Sequence, residues 1–224
     1  MSFTFEAFFF DMDGTLIDTE PYWLASEIEL MSRYNVVWTE ADQMACLGGP
    51  LDRVGDYMAA LAGGIETGSF FEHTLVDLVS KKFSQGINFM PGALNLLKEI
   101  SAAGVPLALV SASPRILVDA ALAALPFEAF ATSVSSSEVS KSKPDPEGYL
   151  KAADILGVDI ERSLVLEDSA TGITAAKASG AFVLAIPHIV QLELNSKSIK
   201  VSTLEGLTLP NLLSQFESLQ QQGA

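Results

Sequence analysis

Two kinds of segment alternate along most of the 224-residue sequence. Apolar runs of strand length are followed by stretches in which apolar residues recur with a helical period, which is typical of a parallel β-sheet covered by helices. The predicted strands are residues 5–10, 107–110, 131–134, 163–166 and 182–186. The sequence therefore predicts an α/β fold built on a parallel sheet.

One long interval interrupts this alternation. Between about residues 19 and 85 the strand signal disappears, and glycines and prolines separate helical patterns at residues 41–46, 52–61 and 70–83. A first helix begins near Thr19, with three apolar side chains on one face, those of Leu24, Ile28 and Met31. We therefore predict a helical domain at 19–85, inserted into a sheet domain formed by 1–18 and 86–224.

The charge of the chain limits its partners. Twenty-eight acidic residues against thirteen basic ones give a formal net charge of −15, which repels the phosphate backbone of nucleic acids. We therefore expect no nucleic-acid binding. The same charge repels a phosphorylated metabolite, so a phosphate site would need positive charge from a metal ion or a lysine.

Several absences suggest a location and an assembly state. The single cysteine, Cys46, excludes an intramolecular disulfide and is compatible with a reducing compartment. The first ten residues contain no basic stretch, and no apolar run reaches the roughly 18 residues needed to span a bilayer. We expect a cytoplasmic protein without a membrane partner, either a monomer or a weak homo-oligomer.

Polar side chains follow three of the predicted strands. Asp11 and Asp13 come after the first strand, Ser111 after the second, and Glu167 and Asp168 at the end of the fourth. The carboxyl ends of parallel strands share one edge of the sheet, which is where ligands bind. We therefore expect these side chains to converge.

Asp11 and Asp13 are separated by one residue, just where the strand gives way to a turn at Gly14. One carboxylate can attack phosphorus while the other moves a proton to the leaving oxygen. A D-x-D match by itself is more often a loop with two solvated acids. The position after a buried strand and the partners later in the chain favour the chemical interpretation.

Glu167 and Asp168 add carboxylate oxygens, the ligands that suit Mg²⁺ in a site that keeps waters and a substrate phosphate. Lys143 precedes Pro144, which biases it away from helix, and a lysine fixed there would neutralise Asp11 and the transferring group. Each residue also has a purely structural interpretation. Glu167 and Asp168 would cap a helix, and Lys143 would be a solvated lysine in a loop.

Ser111 supplies a hydroxyl, and the backbone around it, including that of Ala112, supplies N–H groups for phosphate oxygens. Alone, a serine at a strand end is more often a turn or cap residue. Ser113 and Pro114 predict the cap and first turn of the next helix.

Taken together, these residues resemble the four motifs of the haloacid dehalogenase superfamily. The motifs are D-M-D-G-T-L from Asp11, L-V-S-A-S containing Ser111, S-K-P-D-P containing Lys143, and L-E-D-S containing Glu167 and Asp168. The resemblance covers the whole chain and implies a Rossmann-like core with an inserted α-helical cap.

The same resemblance implies a role for each motif residue. Asp11 would be the nucleophile and a Mg²⁺ ligand, and Asp13 the general acid and base that also gives its backbone carbonyl to the metal. Ser111 and Lys143 would bind the phosphate. Asp168, with Glu167 directly or through water, would complete the metal site.

The choice of reaction rests on two further comparisons within the superfamily. The resemblance implies phosphoryl transfer, because members that cleave carbon–halogen bonds lack an acid at the position of Asp13. The S-A-S and L-E-D-S-A-T-G-I segments are similar to the β-phosphoglucomutase-like subgroup, yet Trp23 stands where those mutases have a histidine, and Leu47-Gly48-Gly49-Pro50 replaces their lysine-glycine loop.

We therefore expect hydrolysis of a small phosphorylated metabolite, such as a sugar phosphate, through an aspartyl phosphate. A sugar phosphomutase and a non-catalytic phosphate-binding module are the alternatives.

Overall fold

The computed structural model describes residues 4–46, 50–186 and 195–222, so Leu47, Gly48 and Gly49 of the loop compared above lie outside it. Within the described residues the chain forms six β-strands and nine α-helices. The strands are β1 (Phe8–Phe10), β2 (Leu107–Val110), β3 (Thr132–Val134), β4 (Leu164–Glu167), β5 (Phe182–Ala185) and β6 (Ser198–Lys200). The helices are α1 (Glu20–Ser32), α2 (Glu40–Cys46), α3 (Leu51–Leu61), α4 (Gly68–Phe83), α5 (Ala93–Ala102), α6 (Arg115–Ala123), α7 (Glu147–Leu156), α8 (Ala170–Ala178) and α9 (Leu209–Gln222).

The six strands form one parallel sheet in the order β3-β2-β1-β4-β5-β6. Phe8 of β1 pairs with Leu107 of β2 on one side and with Leu164 of β4 on the other. From β1 the chain builds the sheet on one side through β2 and β3, and then crosses to the other side to form β4, β5 and β6. This change of direction creates a topological switch point at the carboxyl end of β1. The predicted α/β fold with a parallel sheet is confirmed.

The apolar sequence of β1 reflects burial on both faces of the sheet. All three residues of the strand are buried. On one face Phe9 belongs to a core cluster with Tyr149 of α7 and Val165 of β4. Phe8 meets the ring of Phe5 edge-on, with 5.5 Å between the ring centroids. The strand is thereby fixed at the centre of the sheet domain, directly before the first acidic motif.

The last strand, β6, is absent from the strands predicted from sequence. It contains only three residues and lies at the edge of the sheet, paired with β5. Its sequence Ser-Ile-Lys contains one apolar side chain, so it shows neither an apolar run nor the alternation that identifies a strand. Within the described ranges, the helices lack the length and apolar character needed to cross a membrane.

The chain divides into two compact units, one made of residues 1–18, 88–118 and 125–224 and the other of residues 19–87 and 119–124. We call them the sheet unit and the helical unit. The helical unit contains α1 to α4, and its core includes Leu30, Met58 and Phe71. The domain boundaries given above, with the inserted domain at 19–85, remain our proposal.

One detail of the helical unit differs from the sequence expectation. The buried residues of α1 are Ser26, Glu27, Leu30 and Met31, whereas Ile28 is 48% exposed. Glu27 can lie inside because the indole N–H of Trp38 donates a hydrogen bond to its Oε2 at 3.0 Å. Of the three apolar residues that the sequence places on one face of α1, Met31 is therefore buried and Ile28 is exposed.

Candidate active site

Asp11 lies immediately beyond β1, and its backbone N–H donates to the carbonyl of Leu166 on β4. The chain then turns, with Gly14 at a φ of +82°, a conformation that residues with a side chain rarely adopt. A Cβ atom at Gly14 would also collide with the carboxylate of Asp168. The glycine thus brings the first motif against the fourth.

Lys143 lies between two buried carboxylates. Its Nζ donates to Asp11 Oδ1 at 2.5 Å, to Glu167 Oε1 at 2.6 Å and to the carbonyl of Val110 at 3.0 Å. These three acceptors use the three protons of the ammonium group. Burial by itself would lower the pKa of Lys143, but the charges of Asp11 and Glu167 outweigh it and hold that pKa well above its usual value. The lysine is therefore cationic and fixed in place.

Glu167 is fully buried, and both of its carboxylate oxygens accept hydrogen bonds. Oε1 accepts from Lys143 and, at 3.0 Å, from the hydroxyl of Tyr149. Oε2 accepts from the backbone N–H and the hydroxyl of Ser169, each at 3.1 Å. A Cβ atom at Gly172 of α8 would overlap this carboxylate. Glu167 therefore orients Lys143 as well as adding negative charge.

Asp11, Glu167 and Asp168 each offer a carboxylate oxygen within 4.8 Å of the others, an arrangement that could hold a metal ion. Burial raises the pKa of Asp11 well above its usual value, Glu167 raises it further, and Lys143 only partly opposes this. A divalent cation would favour the ionised form of Asp11, and an oxygen-only ligand set suits Mg²⁺. The residues present therefore fit a magnesium ion.

Asp13 is held by two serine hydroxyls. Its Oδ2 accepts from Ser113 Oγ at 2.9 Å and from Ser111 Oγ at 3.2 Å. Among the described residues, its Oδ1 is the buried side-chain oxygen that has no hydrogen-bond partner. Ala112 lies exposed between the two serines. The second motif thus contacts the second acid of the first motif.

The structure brings the predicted side chains into two contacting sets. Lys143 bonds Asp11 and Glu167, with Asp168 in reach, and Ser111 bonds Asp13. Three contributors were missed. Tyr149 and Ser169 donate hydrogen bonds to Glu167. Ser113, predicted as a helix cap, donates a hydrogen bond to Asp13. For Ser113 a signal existed, because it follows Ser111 by two residues in the same motif. The contact of Tyr149 with Glu167 depends on the packing of α7 on the sheet.

Comparison with known proteins assigns the chain to a family. The family model described as haloacid dehalogenase-like hydrolase matches residues 8–186. The chain belongs to this family. The prediction of a hydrolase of the haloacid dehalogenase superfamily is thereby confirmed, and the four motifs lie within the matched residues.

One relative is validoxylamine A 7'-phosphate phosphatase of Streptomyces hygroscopicus subsp. limoneus, to which the chain is 30% identical over 186 residues. The aligned region covers 79% of this chain and 83% of the relative. The chain is 28% identical over 208 residues to hexitol phosphatase A of Escherichia coli (strain K12), covering 91% and 94%. The solved structure of a putative β-phosphoglucomutase from Thermotoga maritima is 25% identical, with a TM-score of 0.74, covering 96% of this chain and 98% of that one.

Proposed function

We propose that this protein is a Mg²⁺-dependent phosphomonoesterase that hydrolyses a small phosphorylated metabolite, of the sugar phosphate or sugar-alcohol phosphate class, through an aspartyl phosphate on Asp11. The observation that carries the proposal is the buried carboxylate of Asp11 at the switch point of the sheet, with Lys143 bonded to it and Asp168 in reach of a shared cation. The two relatives named as phosphatases support the same reaction class.

In the first step the ionised carboxylate of Asp11 attacks phosphorus, and the bond from phosphorus to the ester oxygen breaks. Asp13 donates a proton to that oxygen, so that a neutral alcohol leaves. In the second step the oxygen of a water molecule attacks the phosphorus of the aspartyl phosphate, and Asp13 takes a proton from that water. Phosphate leaves, and Asp11 is regenerated as a carboxylate.

Charge neutralisation comes from two sources. Lys143 offsets the charge of Asp11 and of the phosphoryl group, while Ser111 and the backbone N–H of Ala112 bind phosphoryl oxygens. Asp11, Asp168 and the backbone carbonyl of Asp13, with Glu167 directly or through water, would hold Mg²⁺. When bound, this ion would stabilise the negative charge on the phosphoryl oxygens.

The test compares wild type with Asp11→Asn on a panel of sugar phosphates and sugar-alcohol phosphates, by measuring phosphate release. We expect the variant to lose at least about a thousandfold in kcat, because the nucleophile is gone. Asp154→Asn, at an exposed position of α7, is the matched control and should keep full activity. Removing divalent cations with EDTA should abolish wild-type turnover, and adding Mg²⁺ back should restore it. Full activity of Asp11→Asn would exclude the mechanism.

The similarity to a putative β-phosphoglucomutase supports a second candidate, a sugar phosphomutase acting at the same site. The two candidates differ in the fate of the aspartyl phosphate, which goes either to water or to a second hydroxyl of the sugar. Glucose 1-phosphate separates them. A mutase converts it to the 6-phosphate faster than it releases phosphate, whereas we expect phosphate as the main product. A protein that turns over nothing on the panel would instead be a phosphate-binding module.

A further inference from the structure

We propose that Ser113 is a positioning residue for proton transfer, which fixes Oδ2 of Asp13 so that Oδ1 is the oxygen that gives the proton to the leaving group. The inference rests on the proposed function, in which Asp13 is the general acid and base. It begins from the contrast between the two oxygens of Asp13. Oδ2 accepts two hydroxyl protons, whereas Oδ1 is buried without a partner in the described part of the chain.

The contrast decides where a proton on Asp13 must sit. A protonated carboxyl group has one hydroxyl oxygen and one carbonyl oxygen, and only the hydroxyl oxygen can donate. Because the serine hydroxyls donate to Oδ2, this atom is the carbonyl oxygen and the proton lies on Oδ1. A buried polar atom without a partner is unfavourable, and the ester oxygen of a bound substrate would supply that partner.

Of the two serines, Ser113 is the one that can keep this role during the reaction. A serine hydroxyl has a single proton to donate. Ser111 is proposed to donate its proton to a phosphoryl oxygen, which takes that proton away from Asp13. Ser113 carries the shorter contact, 2.9 Å against 3.2 Å, and would remain as the donor to Oδ2.

The backbone around Ser113 fixes the direction of its hydroxyl. The N–H of Ser113 donates to Ser111 Oγ at 2.9 Å, and its carbonyl accepts from the N–H of Ser136 at 3.1 Å. Pro114 follows and restricts the backbone of Ser113 further. The side chain is buried. The hydroxyl is therefore aimed at Asp13 before any substrate binds.

The proton balance is simple. Asp13 gives the proton of Oδ1 to the ester oxygen as the phosphorus–oxygen bond breaks, and later recovers a proton at Oδ1 from the attacking water. The proton of Ser113 is not transferred at any point. Loss of Ser113 should therefore affect only those substrates whose leaving group needs a proton.

The test uses two aryl esters, phenyl phosphate and 2,4-dinitrophenyl phosphate, with Mg²⁺ present. Phenolate is a poor leaving group that needs the proton, whereas 2,4-dinitrophenolate leaves without it. We expect Ser113→Ala to lower kcat for phenyl phosphate about tenfold, a part of the 10²–10⁴-fold that general acid catalysis contributes. The rate on 2,4-dinitrophenyl phosphate should fall much less, by about twofold at most. The ratio of the two rates does not depend on the fraction of folded enzyme.

A double-mutant cycle separates positioning from a general structural effect. In an Asp13→Asn background, Ser113→Ala should cause no further loss on phenyl phosphate. Ser163→Ala removes a buried hydroxyl that donates to the carbonyl of Asp159 instead, and should leave the ratio of rates unchanged. If Ser113→Ala does not fold, Ser113→Cys is the second variant, because a thiol is similar in size but a weaker hydrogen-bond donor. Its rate on phenyl phosphate relative to that on 2,4-dinitrophenyl phosphate should also fall.

Equal losses on both esters, or a further loss in the Asp13→Asn background, would overturn the role of Ser113 while leaving the phosphatase intact. A wild-type protein that hydrolyses neither ester nor any phosphorylated sugar would instead overturn the proposed function. The two failures are therefore distinguishable.

Discussion

The sheet unit and the helical unit each bury a glutamate, but they compensate its charge differently. In the sheet unit, fully buried Glu167 accepts hydrogen bonds from the ammonium group of Lys143 and from the neutral groups of Tyr149 and Ser169. In the helical unit, Glu27 is 6% exposed and accepts from the neutral indole of Trp38. Only one of the two buried acids is thus paired with a cation.

The difference shows in the protonation of the helical unit. Burial raises the pKa of Glu27 to about 7, the hydrogen bond from Trp38 opposes the rise, and the charge of Glu20 adds to it. The buried carboxyl of Glu27, which accepts from a neutral indole, is therefore only partly ionised near pH 7. In the sheet unit the buried carboxyl groups of Asp11 and Glu167 face the cationic Lys143, whose charge the proposed phosphoryl transfer uses.

The largest effect on stability should come from removing the cationic side chain of Lys143. We expect Lys143→Met to cost about 3–5 kcal/mol of unfolding free energy, because it leaves the buried acids Asp11 and Glu167 without their positive partner. Phosphate release should fall at least about a hundredfold, since the charge facing the phosphoryl group is lost. Urea unfolding and a phosphate assay measure the two effects.

The matched control is Lys141→Met in the same loop. The side chain of Lys141 is 74% exposed and lies 3.7 Å from Asp145, so its removal should change stability by about 1 kcal/mol at most. Equal stability losses in the two variants would mean that the buried cluster does not depend on the charge of Lys143. The contrast between the two units would then disappear.

The second effect concerns Glu27, the buried acid whose hydrogen-bond partner is a neutral indole. The pKa of Glu27 is about 7 in the folded chain and near 4.5 in the unfolded one, so its contribution to stability is fully present below pH 4.5 and is lost as pH rises through 7. The whole change amounts to about 3 kcal/mol. Glu27→Gln removes this titration, so the variant should gain stability over wild type as pH rises from 5 to 8.

Urea unfolding of the full chain at several pH values checks this prediction. Glu66→Gln, at an exposed position of the helical unit, is the control and should follow the pH dependence of wild type. A constant difference between Glu27→Gln and wild type across this range would contradict a raised pKa for Glu27.

The sequence predicts features that depend on the order of the strands, but not contacts between side chains that are far apart in the chain. The convergence of Asp11, Ser111 and Asp168 could be predicted, because the order of parallel strands places their carboxyl ends at one edge. The individual contacts could not. The burial of Glu27 is one such case, since no local pattern reveals that Trp38 supplies its hydrogen-bond partner. The hydroxyl of Ser113 donates its hydrogen bond to Asp13, which lies 100 residues earlier in the sequence.

The smallest effect separates the position of Glu167 from its charge. Gly172→Ala improves helix propensity in α8 by about 1 kcal/mol, but the new Cβ atom overlaps the Glu167 carboxylate, and such overpacking costs about 1–3 kcal/mol. We expect a net loss of about 1 kcal/mol together with reduced phosphate release, because the carboxylate is displaced from Lys143. Urea unfolding and the phosphate assay again give both values.

Gly148→Ala in α7 is the control for Gly172→Ala, since its Cβ atom would approach only Cγ1 of Val110, at 3.2 Å. A side-chain methyl group can yield, whereas a carboxylate held by four hydrogen bonds cannot move without breaking them. The control should therefore keep its activity and its stability. Unchanged activity in Gly172→Ala would show that Lys143 tolerates a displaced Glu167, and that the acid contributes through its charge alone.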